Sequence, residues 1–549
     1  MSRHLSIERK GLFRYLLILF VLIALAVGCK GAVYVEDNVQ RIMTEKLLMP
    51  LSSSKESKFE VSPDGKHVMC IDREGDKAIV GVDNKEKRRY DNVSGEPPVF
   101  SPDSKRLAYV AREGSKWFVV VDEQEGKHYD QIVMGTPIFS ANSRRIAYLA
   151  KSDEKWIVVV DGKEEQSYDV APLIPFVFSP DGSHLAFPIK QGEKRAFVLD
   201  GRILKPHEGI SGIRYIFSPD SQRFAYVASE GDKWFVVVDG KEGEQYDGID
   251  KSTAVFSPDS KRVAYIAKKE TKFLAVVDGK EGHDYDGIAT ESLRFTSDSA
   301  RVIYVAKKGK KLLFVADGEE GKPVDNIAAL VFSPDGRHTA YAAESGRKWA
   351  MVVDAQEGKR YEAVGFPVFS PDSSRIAYAV KDRDKSLVIV DGKPGKRYDH
   401  IWRGQVLFSP DSKRVMYTAI EGDKRFVVVD GNEGKRYELI GRFLFSPDSR
   451  SVAYSAQLNK KWFVVVDGSE GKLFDDIGMR YLTIVPRDAD LSDKPLLVID
   501  EFIVNRDKKP YRIISSREGD ILFDDPQRFH YLGSKDKKFY LVEERIDGK

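Results

Sequence analysis

Cysteine is almost absent from this chain, since only Cys29 and Cys70 occur among its 549 residues. Two cysteines form at most one bridge, so no disulfide framework holds the fold, and its stability has to come from packing. An excess of charge is also missing, because 87 Lys and Arg residues stand against 85 Asp and Glu residues, a net charge of +2. This balance leaves no basic field that would follow a nucleic-acid backbone, and we predict no nucleic-acid partner.

Familiar catalytic signatures are missing as well. The sequence contains no GxxxxGK[ST] phosphate-binding loop and no HExxH, CxxC or GxSxG motif. Three of the nine histidines, His67, His184 and His338, share one position of a repeat, but they come from repeats that are not neighbours, which argues against a metal site. We therefore predict no catalytic residue, no cofactor and no metal ligand, and we expect that the chain is not an enzyme.

Repetition is what the sequence has in abundance. A turn motif of the type Phe-Ser-Pro-Asp returns every 39 or 37 residues between residues 61 and 445. A period near 40 residues is the length of a four-stranded propeller blade. The first residue of the motif is Val61, Phe100, Phe139, Phe178, Phe217, Phe256, Phe295, Phe332, Phe369, Phe408 and Phe445.

The chemistry inside one repeat predicts four strands and no helix. Ser-Pro-Asp favours a turn, the alternating "RVAYIA" (262–267) indicates a strand, and a continuous apolar run such as "WFVVVD" (234–239) is typical of a strand covered on both faces. Asp-Gly then reverses the chain before a short last strand. Such a sheet alone would leave aromatic and Val side chains in water, where each one forgoes roughly 1.5–3 kcal/mol of burial energy. We predict an all-β propeller of about twelve four-stranded blades, each of 37–39 residues.

The pattern "FSPDSKRVAYIA" resembles the WD-repeat-like propeller repeat of the TolB family, which also occurs in the propeller domains of prolyl oligopeptidases. The resemblance covers residues 59 to 478. It implies the propeller fold and, through TolB-like relatives, contact with other envelope proteins. We do not expect a peptidase, because only about 70 residues follow the repeats and they look like further blade material.

The array divides into two tandem propellers in our prediction. The first covers residues 59–320 with about seven blades, and the second covers 321–549 with about five to six blades, of which the C-terminal ones are degenerate. The stretch "RFHYLGSKDKKFYLVEE" (528–544) matches the second and third strands of a repeat, as in 301–317. One large ring is the alternative. Before the array, residues 29–58 are a tether with a short amphipathic helix over 37–48.

The amino terminus carries a targeting signal. Basic residues precede a twelve-residue apolar run, 16–27, which is shorter than the roughly 20 residues of a membrane span. The stretch "AVGC" ending at Cys29 resembles the lipobox of bacterial lipoproteins, so residues 1–28 are a lipoprotein signal peptide and Cys29 is the lipidation site. We place the protein in the bacterial cell envelope, facing the periplasm or as an outer-membrane lipoprotein. An inner-membrane anchor through an uncleaved N-terminal helix is the alternative.

A basic residue follows the turn in ten of the repeats, and an Asp or Asn lies three positions before it. One interpretation is a basic–acidic pair that braces each turn; the other is a basic rim that meets an anionic glycan or a similar partner. The ten residues of this basic rim are His67, Arg106, Arg145, His184, Arg223, Arg262, Arg301, His338, Arg375 and Arg414.

Binding residues are expected where the repeat is interrupted, because loops that interrupt a regular scaffold carry recognition. The candidates in two such stretches are His207, Arg214, Tyr215, Trp402 and Arg403. The first functional hypothesis is a membrane-anchored, extracytoplasmic binding or scaffold protein with envelope proteins as partners. The alternative is an envelope polysaccharide lyase or glycosidase with its site in the propeller channel.

Overall fold

The computed structural model describes residues 30–36, 39–50, 58–83, 85, 88–94, 98–168, 175–250, 254–477, 482–486, 511–515, 522–525, 528–535 and 538–547. All regular structure in these ranges is β-strand, and the strands form twelve sheets of four to six strands and one two-stranded sheet. Within these ranges no helix is long and apolar enough to cross a membrane. The predicted signal segment 1–28 and Cys29 lie outside the described residues.

The twelve sheets are the blades of a β-propeller, numbered 1 to 12 in chain order. The antiparallel strands of each blade are called first to fourth in their order across the sheet. The first strands, several of them in two segments, are Lys58–Val61; Asn92–Val93 with Val99–Phe100; Gln131–Ile132 with Ile138–Phe139; Val177–Phe178; Gly209–Phe217; Gly248–Ile249 with Val255–Phe256; Gly287–Ile288 with Arg294–Phe295; Asn326–Phe332; Ala363–Val364 with Val368–Phe369; His400–Phe408; Leu439–Phe445; and Asp476–Ile477 with Leu522–Asp525. The second strands are Val68–Glu74, Leu107–Glu113, Ile146–Ser152, Leu185–Gln191, Phe224–Glu230, Val263–Lys269, Val302–Lys308, Thr339–Ser345, Ile376–Asp382, Val415–Glu421, Val452–Leu458 and Arg528–Lys535. The third strands are Lys77–Val82, Lys116–Val121, Lys155–Val160, Lys194–Leu199, Lys233–Val238, Lys272–Val277, Lys311–Ala316, Lys348–Val353, Lys385–Val390, Lys424–Val429, Lys461–Val466 and Lys538–Asp547. The fourth strands are Arg88–Tyr90, Gln124–Glu125, Lys163–Tyr168, Arg202–Ile203, Lys241–Glu242, Lys280–Glu281, Glu319–Glu320, Gln356–Tyr361, Lys393–Pro394, Asn432–Glu433, Ser469–Glu470 and, for blade 12, Val39–Pro50.

The Ser-Pro-Asp turn joins the first strand to the second by hydrogen bonds within the turn. In blade 6 the Ser257 hydroxyl donates to Asp259 Oδ1 at 2.6 Å, and the Arg262 N–H donates to Ser257 Oγ at 3.0 Å. Pro258 sets the backbone angle that the turn requires, and Ser260 takes a φ of +66°. The sequence motif therefore specifies this turn through its own side chains.

The Asp-Gly turn between the third and fourth strands is equally local. Asp278 and Gly279 have φ values of +51° and +76°, as a tight hairpin with two left-handed residues requires. The Asp278 carboxylate also accepts the Val263 N–H at 2.9 Å, which ties the end of the third strand to the start of the second.

The core lies between consecutive blades, where the faces of neighbouring sheets meet. In the seam between blades 6 and 7 the rings of Tyr285 and Tyr304 meet edge to face, with centroids 6.0 Å apart. Small alanines alternate with large side chains in this seam, which lets the sheets approach closely. Its buried residues are Ala264, Ile266, Ala275, Tyr285, Ile288, Leu293, Phe295, Val302, Tyr304, Ala306, Leu313 and Val315.

The N-terminal strand completes the last blade, which corrects the helix predicted over 37–48. Val39–Pro50 pairs antiparallel with Lys538–Asp547 and serves as the fourth strand of blade 12, while Lys30–Glu36 pairs on its other side. Lys472 Nζ of blade 11 donates a hydrogen bond to Glu45 Oε2 of this strand at 2.7 Å. His530 Nε2 of blade 12 lies 2.6 Å from the Asp64 carbonyl oxygen of blade 1. The segment is a strand because an unpaired edge of blade 12 is available to it.

Clustering by compactness gives two units. One comprises Met1–Val93, Lys424–Phe426 and Gly434–Lys549, and the other comprises Ser94–Asp423 and Val427–Glu433. The predicted division into two propellers at residue 320 stays a prediction; blades 7 and 8 on either side of it pack on each other through stacked rings of Phe314 and Tyr341, 4.8 Å apart. The predicted hairpin of 528–544 is confirmed as the second and third strands of blade 12.

Candidate functional site

The pairing of the first strand of a blade with the second is interrupted in most of the described blades. In blades 5, 8, 10 and 11 its register with the second strand shifts, for example between Ile401 and Val406 of blade 10. In blades 3, 7 and 9 it is split into two short segments. A bulge bends the strand and re-aims its side chains, which is why bulges often occur next to binding sites.

The bulges of consecutive blades touch one another. The Thr290 hydroxyl of blade 7 donates to Asp250 Oδ2 of blade 6 at 3.0 Å, and the Tyr215 hydroxyl of blade 5 donates to the Pro175 carbonyl of blade 4. A side chain placed on Gly365 of blade 9 would come within 3.9 Å of the Gly404 carbonyl of blade 10. We call this strip, residues 133–137, 211–214, 289–293, 328–330, 364–367 and 402–405, the bulge edge.

Hydroxyl groups hold the bulge edge in shape. Ser292 donates to the Ala289 carbonyl at 2.6 Å and accepts the Val305 N–H of the second strand at 2.9 Å. Thr136 donates to the Val133 carbonyl at 2.6 Å in the equivalent bulge of blade 3. The hydroxyl thus replaces the ladder partner that the bulge removes, so the exposed residues of the bulge stand on a braced backbone.

Large apolar side chains are exposed on the bulge edge. Met134 of blade 3 is 68% exposed and Phe366 of blade 9 is 70% exposed, the two highest values among the large hydrophobic residues that the structure describes. Trp402 of blade 10, one of the predicted binding residues, is partly exposed on the same strip. Large apolar side chains that stay exposed on a regular scaffold are typical of binding surfaces.

The other predicted binding-loop residues have mixed outcomes. His207 and Tyr215 are buried, which corrects the expectation that they line an open loop. His207 occupies the position of Tyr129 and Tyr246, since its backbone bridges to Arg195 as theirs bridge to Trp117 and Trp234. The side chains of Arg214 and Arg403 lie outside the described part of the chain.

The basic-rim residues join consecutive blades. Arg106 Nε donates to Asp122 Oδ2 at 2.8 Å, and its Nη1 donates to the Arg144 carbonyl of the next blade at 3.1 Å. The guanidinium carbon also lies 5.1 Å from the ring centroid of Phe139 in that blade. We call this arrangement the latch. The ion pairs of the latch, at 2.5–3.1 Å, are His67–Asp83, Arg106–Asp122, Arg145–Asp161, His184–Asp200, Arg223–Asp239, Arg262–Asp278, His338–Asp354, Arg375–Asp391 and Arg414–Asp430.

The acidic partner in the latch is not the one expected from the sequence. The Asp three positions before each basic residue, such as Asp103, instead accepts the Ser101 hydroxyl and the Lys105 N–H, which together hold the pKa of Asp103 below its usual value. The true partner, such as Asp122, ends the apolar third strand. The repeated final Asp of "VVVD" was the signal that could have identified it. The bracing interpretation thus describes these contacts, and the anionic-glycan rim stays a prediction.

The Tyr-Asp pairs at the end of each repeat are architecture as well. Tyr129, Tyr246 and Tyr285 are fully buried, and the ring of Tyr129 meets Tyr148 of the next blade at 6.2 Å. Burial is the main cause of a raised pKa in each of these tyrosines. Within the described ranges, no group of three His, Cys, Asp or Glu side chains is placed to hold a metal ion.

Comparison with known proteins supports the fold alone. No family model matches the chain, and no curated protein matches it. Similar solved structures include TolB from Acinetobacter baumannii (12% identity, 46% of this chain and 78% of that chain, TM-score 0.21), a eukaryotic initiation factor (12%, 70% and 97%, 0.33) and the Dos1 propeller (12%, 51% and 87%, 0.26). The predicted all-β propeller of about twelve blades is confirmed by the sheets of the chain itself.

Proposed function

We propose that this chain is a non-enzymatic binding or scaffold protein that recognises other proteins of the bacterial cell envelope through its bulge edge. The observation that carries the proposal is the exposure of two large apolar side chains, Met134 and Phe366, at first-strand interruptions of an otherwise closely repeated scaffold. Everything that repeats in each blade is used by the latch, the turns and the core. The bulge edge differs between blades and carries the two most exposed large apolar side chains among the described residues.

The chemistry of the strip favours a protein partner. An exposed phenylalanine or methionine gains roughly 1.5–3 kcal/mol when a partner covers it completely, and a few such anchors dominate the affinity of a protein interface. The glycines at 365 and 404 let the bulges of blades 9 and 10 lie close to each other, since a side chain on either would meet Ala379 of blade 9. The extracytoplasmic location and lipidation at Cys29 are part of the proposal and rest on the N-terminal sequence.

Affinity capture from detergent-solubilised envelope, with the full chain as bait, tests the proposal. The bulge-edge variant is Met134→Ala with Phe366→Ala. The matched control is Leu473→Ala, which removes another exposed apolar side chain, 51% exposed, from the region after the fourth strand of blade 11.

The expected result is a protein that the wild type and the Leu473 variant both retain and the double variant loses, with unchanged circular dichroism of all three baits. Equal capture by all three baits would contradict docking at the bulge edge. Cleavage of any member of a panel of envelope polysaccharides by the purified chain would instead support the enzyme alternative and overturn the scaffold proposal.

A further inference from the structure

The seam between blades 4 and 5 differs from its neighbours in the residue at its buried tyrosine position. In the seam between blades 5 and 6, Tyr246 packs on Tyr265, with ring centroids 6.2 Å apart. Lys269 lies over the same Tyr246 ring at 5.6 Å. Blade 4 presents His207 at this position, fully buried. A neutral aromatic residue is thus replaced by a titratable one in the middle of an interface.

Two carboxylates of blade 5 face the buried imidazole. His207 Nδ1 lies 3.3 Å from Glu230 Oε1, at the end of the second strand, and 4.0 Å from Glu242 Oε1, in the fourth strand. The contact with Glu230 is not aligned as a hydrogen bond, so Nδ1 is buried without a hydrogen-bond partner. On the opposite side of the ring, 3.4 Å separates Nε2 from the Tyr226 hydroxyl.

Two lysines of blade 4 lie close to these carboxylates. Lys205 pairs with Glu242 at 2.5 Å, and Lys194 lies 3.7 Å from Glu230. The ring of Phe235 completes the surroundings, with its centroid 5.5 Å from that of His207. A proton on His207 would therefore enter a site whose carboxylates already have partners.

The latch is also weaker in this seam. Arg223 of blade 5 donates to the Ser260 and Lys261 carbonyls of blade 6, at 3.1 and 2.8 Å. His184 takes the same position in blade 4, pairs with Asp200 of its own blade at 2.6 Å and stacks on Phe217 of blade 5. The guanidinium group of an arginine has enough N–H donors to bind both its own carboxylate and the carbonyls of the next blade, whereas the His184 imidazole is placed to bind only the carboxylate.

We propose that the seam between blades 4 and 5 is an acid-sensitive joint, in which protonation of His207 favours separation of the two sheets. Burial lowers the pKa of His207 below the usual 6.5, against a smaller raising effect of Glu242 and Glu230. The closed seam therefore holds the neutral ring, and the opened seam lets it take up a proton. As the pH falls from about 6.5 towards the lowered pKa, the equilibrium constant for opening the seam rises by at most about tenfold per pH unit, which is the limit for the uptake of one proton.

Hydrogen exchange of the purified full chain, followed by mass spectrometry at pH 7.5 and 5.5 and corrected for the intrinsic rates, tests the joint. We expect the opening equilibrium in peptides covering 194–209 and 224–230 to rise several-fold at the lower pH, while peptides covering 263–269 stay unchanged. His207→Tyr restores the repeat residue, and His207→Gln keeps a neutral polar side chain; both should remove the pH dependence.

His184→Arg tests the contribution of the weaker latch in this seam. It should slow opening at both pH values by restoring the carbonyl contacts, and it should leave the pH dependence in place. Equal protection at the two pH values in the wild type would overturn the joint. A pH dependence that persists in both His207 variants would overturn the assignment to this residue.

Discussion

The contribution of the latch can be measured at Arg262, where the geometry is complete. Its Nε donates to Asp278 Oδ2 at 2.8 Å, its Nη1 donates to the Ala300 carbonyl at 2.9 Å, and its guanidinium carbon lies 5.1 Å from the centroid of Phe295. The partly exposed ion pair contributes at most about 1 kcal/mol, the ring contact about 0.5–1 kcal/mol, and the charged hydrogen bond to the carbonyl about 1.5 kcal/mol. Because these terms share one side chain and are not additive, we expect Arg262→Ala to lower the local stability of the seam between blades 6 and 7 by about 2–3 kcal/mol.

Native-state hydrogen exchange reports this local value better than a global melt, because repeat arrays do not unfold in two states. In peptides covering 294–302, Arg262→Ala should speed exchange about 30- to 100-fold, since every 1.4 kcal/mol is about tenfold. Arg262→Lys keeps the charge but loses the planar guanidinium group, so its exchange rate should lie between those of the wild type and Arg262→Ala.

The matched control is Lys261→Ala, next to the latch. The Lys261 side chain is 81% exposed, and its ion pair with Asp259 is long, with 3.8 Å between the charged atoms. It should change exchange less than about threefold, as isolated surface ion pairs do. If the Arg262→Ala chain exchanged like the Lys261→Ala chain, the latch would not hold the blades together.

Further consequences concern the core, the N-terminal strand, the turn carboxylates and the amino terminus. Tyr246→Ala should destabilise the seam between blades 5 and 6 by about 3–5 kcal/mol, and Tyr246→Phe by about 1 kcal/mol or less, when native-state hydrogen exchange in peptides covering 263–269 is compared. Glu45→Lys places two cations together at Lys472 and should release the N-terminal strand, seen as faster proteolysis of residues 39–50 with blade 6 still protected. The Ser218 hydroxyl and a backbone N–H lower the pKa of Asp220, so the stability that this carboxylate adds is present above about pH 4 and is lost as the pH falls through the lowered value. The stability lost in Ser218→Ala should therefore be larger at pH 6 than at acidic pH, when native-state hydrogen exchange in peptides covering 224–230 is compared. Cys29→Ser should abolish incorporation of labelled fatty acid, and incorporation that survives the substitution would exclude lipidation at this residue.

The blade itself was accessible from the sequence because its determinants are local. The Ser-Pro-Asp and Asp-Gly turns are specified by side chains that bond their own backbone, and the two-residue alternation of the second segment identifies it as a strand. Repetition then supplied the packing argument, since each sheet has to cover the same residues of its neighbour. The buried Tyr129 and Tyr148 follow from that reasoning.

The errors have a common cause in contacts between residues that are not adjacent in the sequence. Arg106 was paired with the nearest acidic residue in sequence, whereas its fold partner, Asp122, lies 16 residues further on. His207 looked like a loop residue because its neighbours depart from the repeat, although its backbone keeps the register of the buried tyrosines. Residues 39–50 have an apolar spacing that also suits a helix, and only the open edge of blade 12 makes them a strand.

Sequence alone determined the module: a β-sheet of fixed length, its turns, and the need to stack on a copy of itself, because these follow from bonds and burial within about 40 residues. Tertiary structure decided which of the irregular residues meet solvent and which meet another blade. Met134 and Phe366 are exposed, whereas His207 is buried. What each of these side chains contacts depends on the position of the neighbouring blade, which the spacing along the chain does not specify.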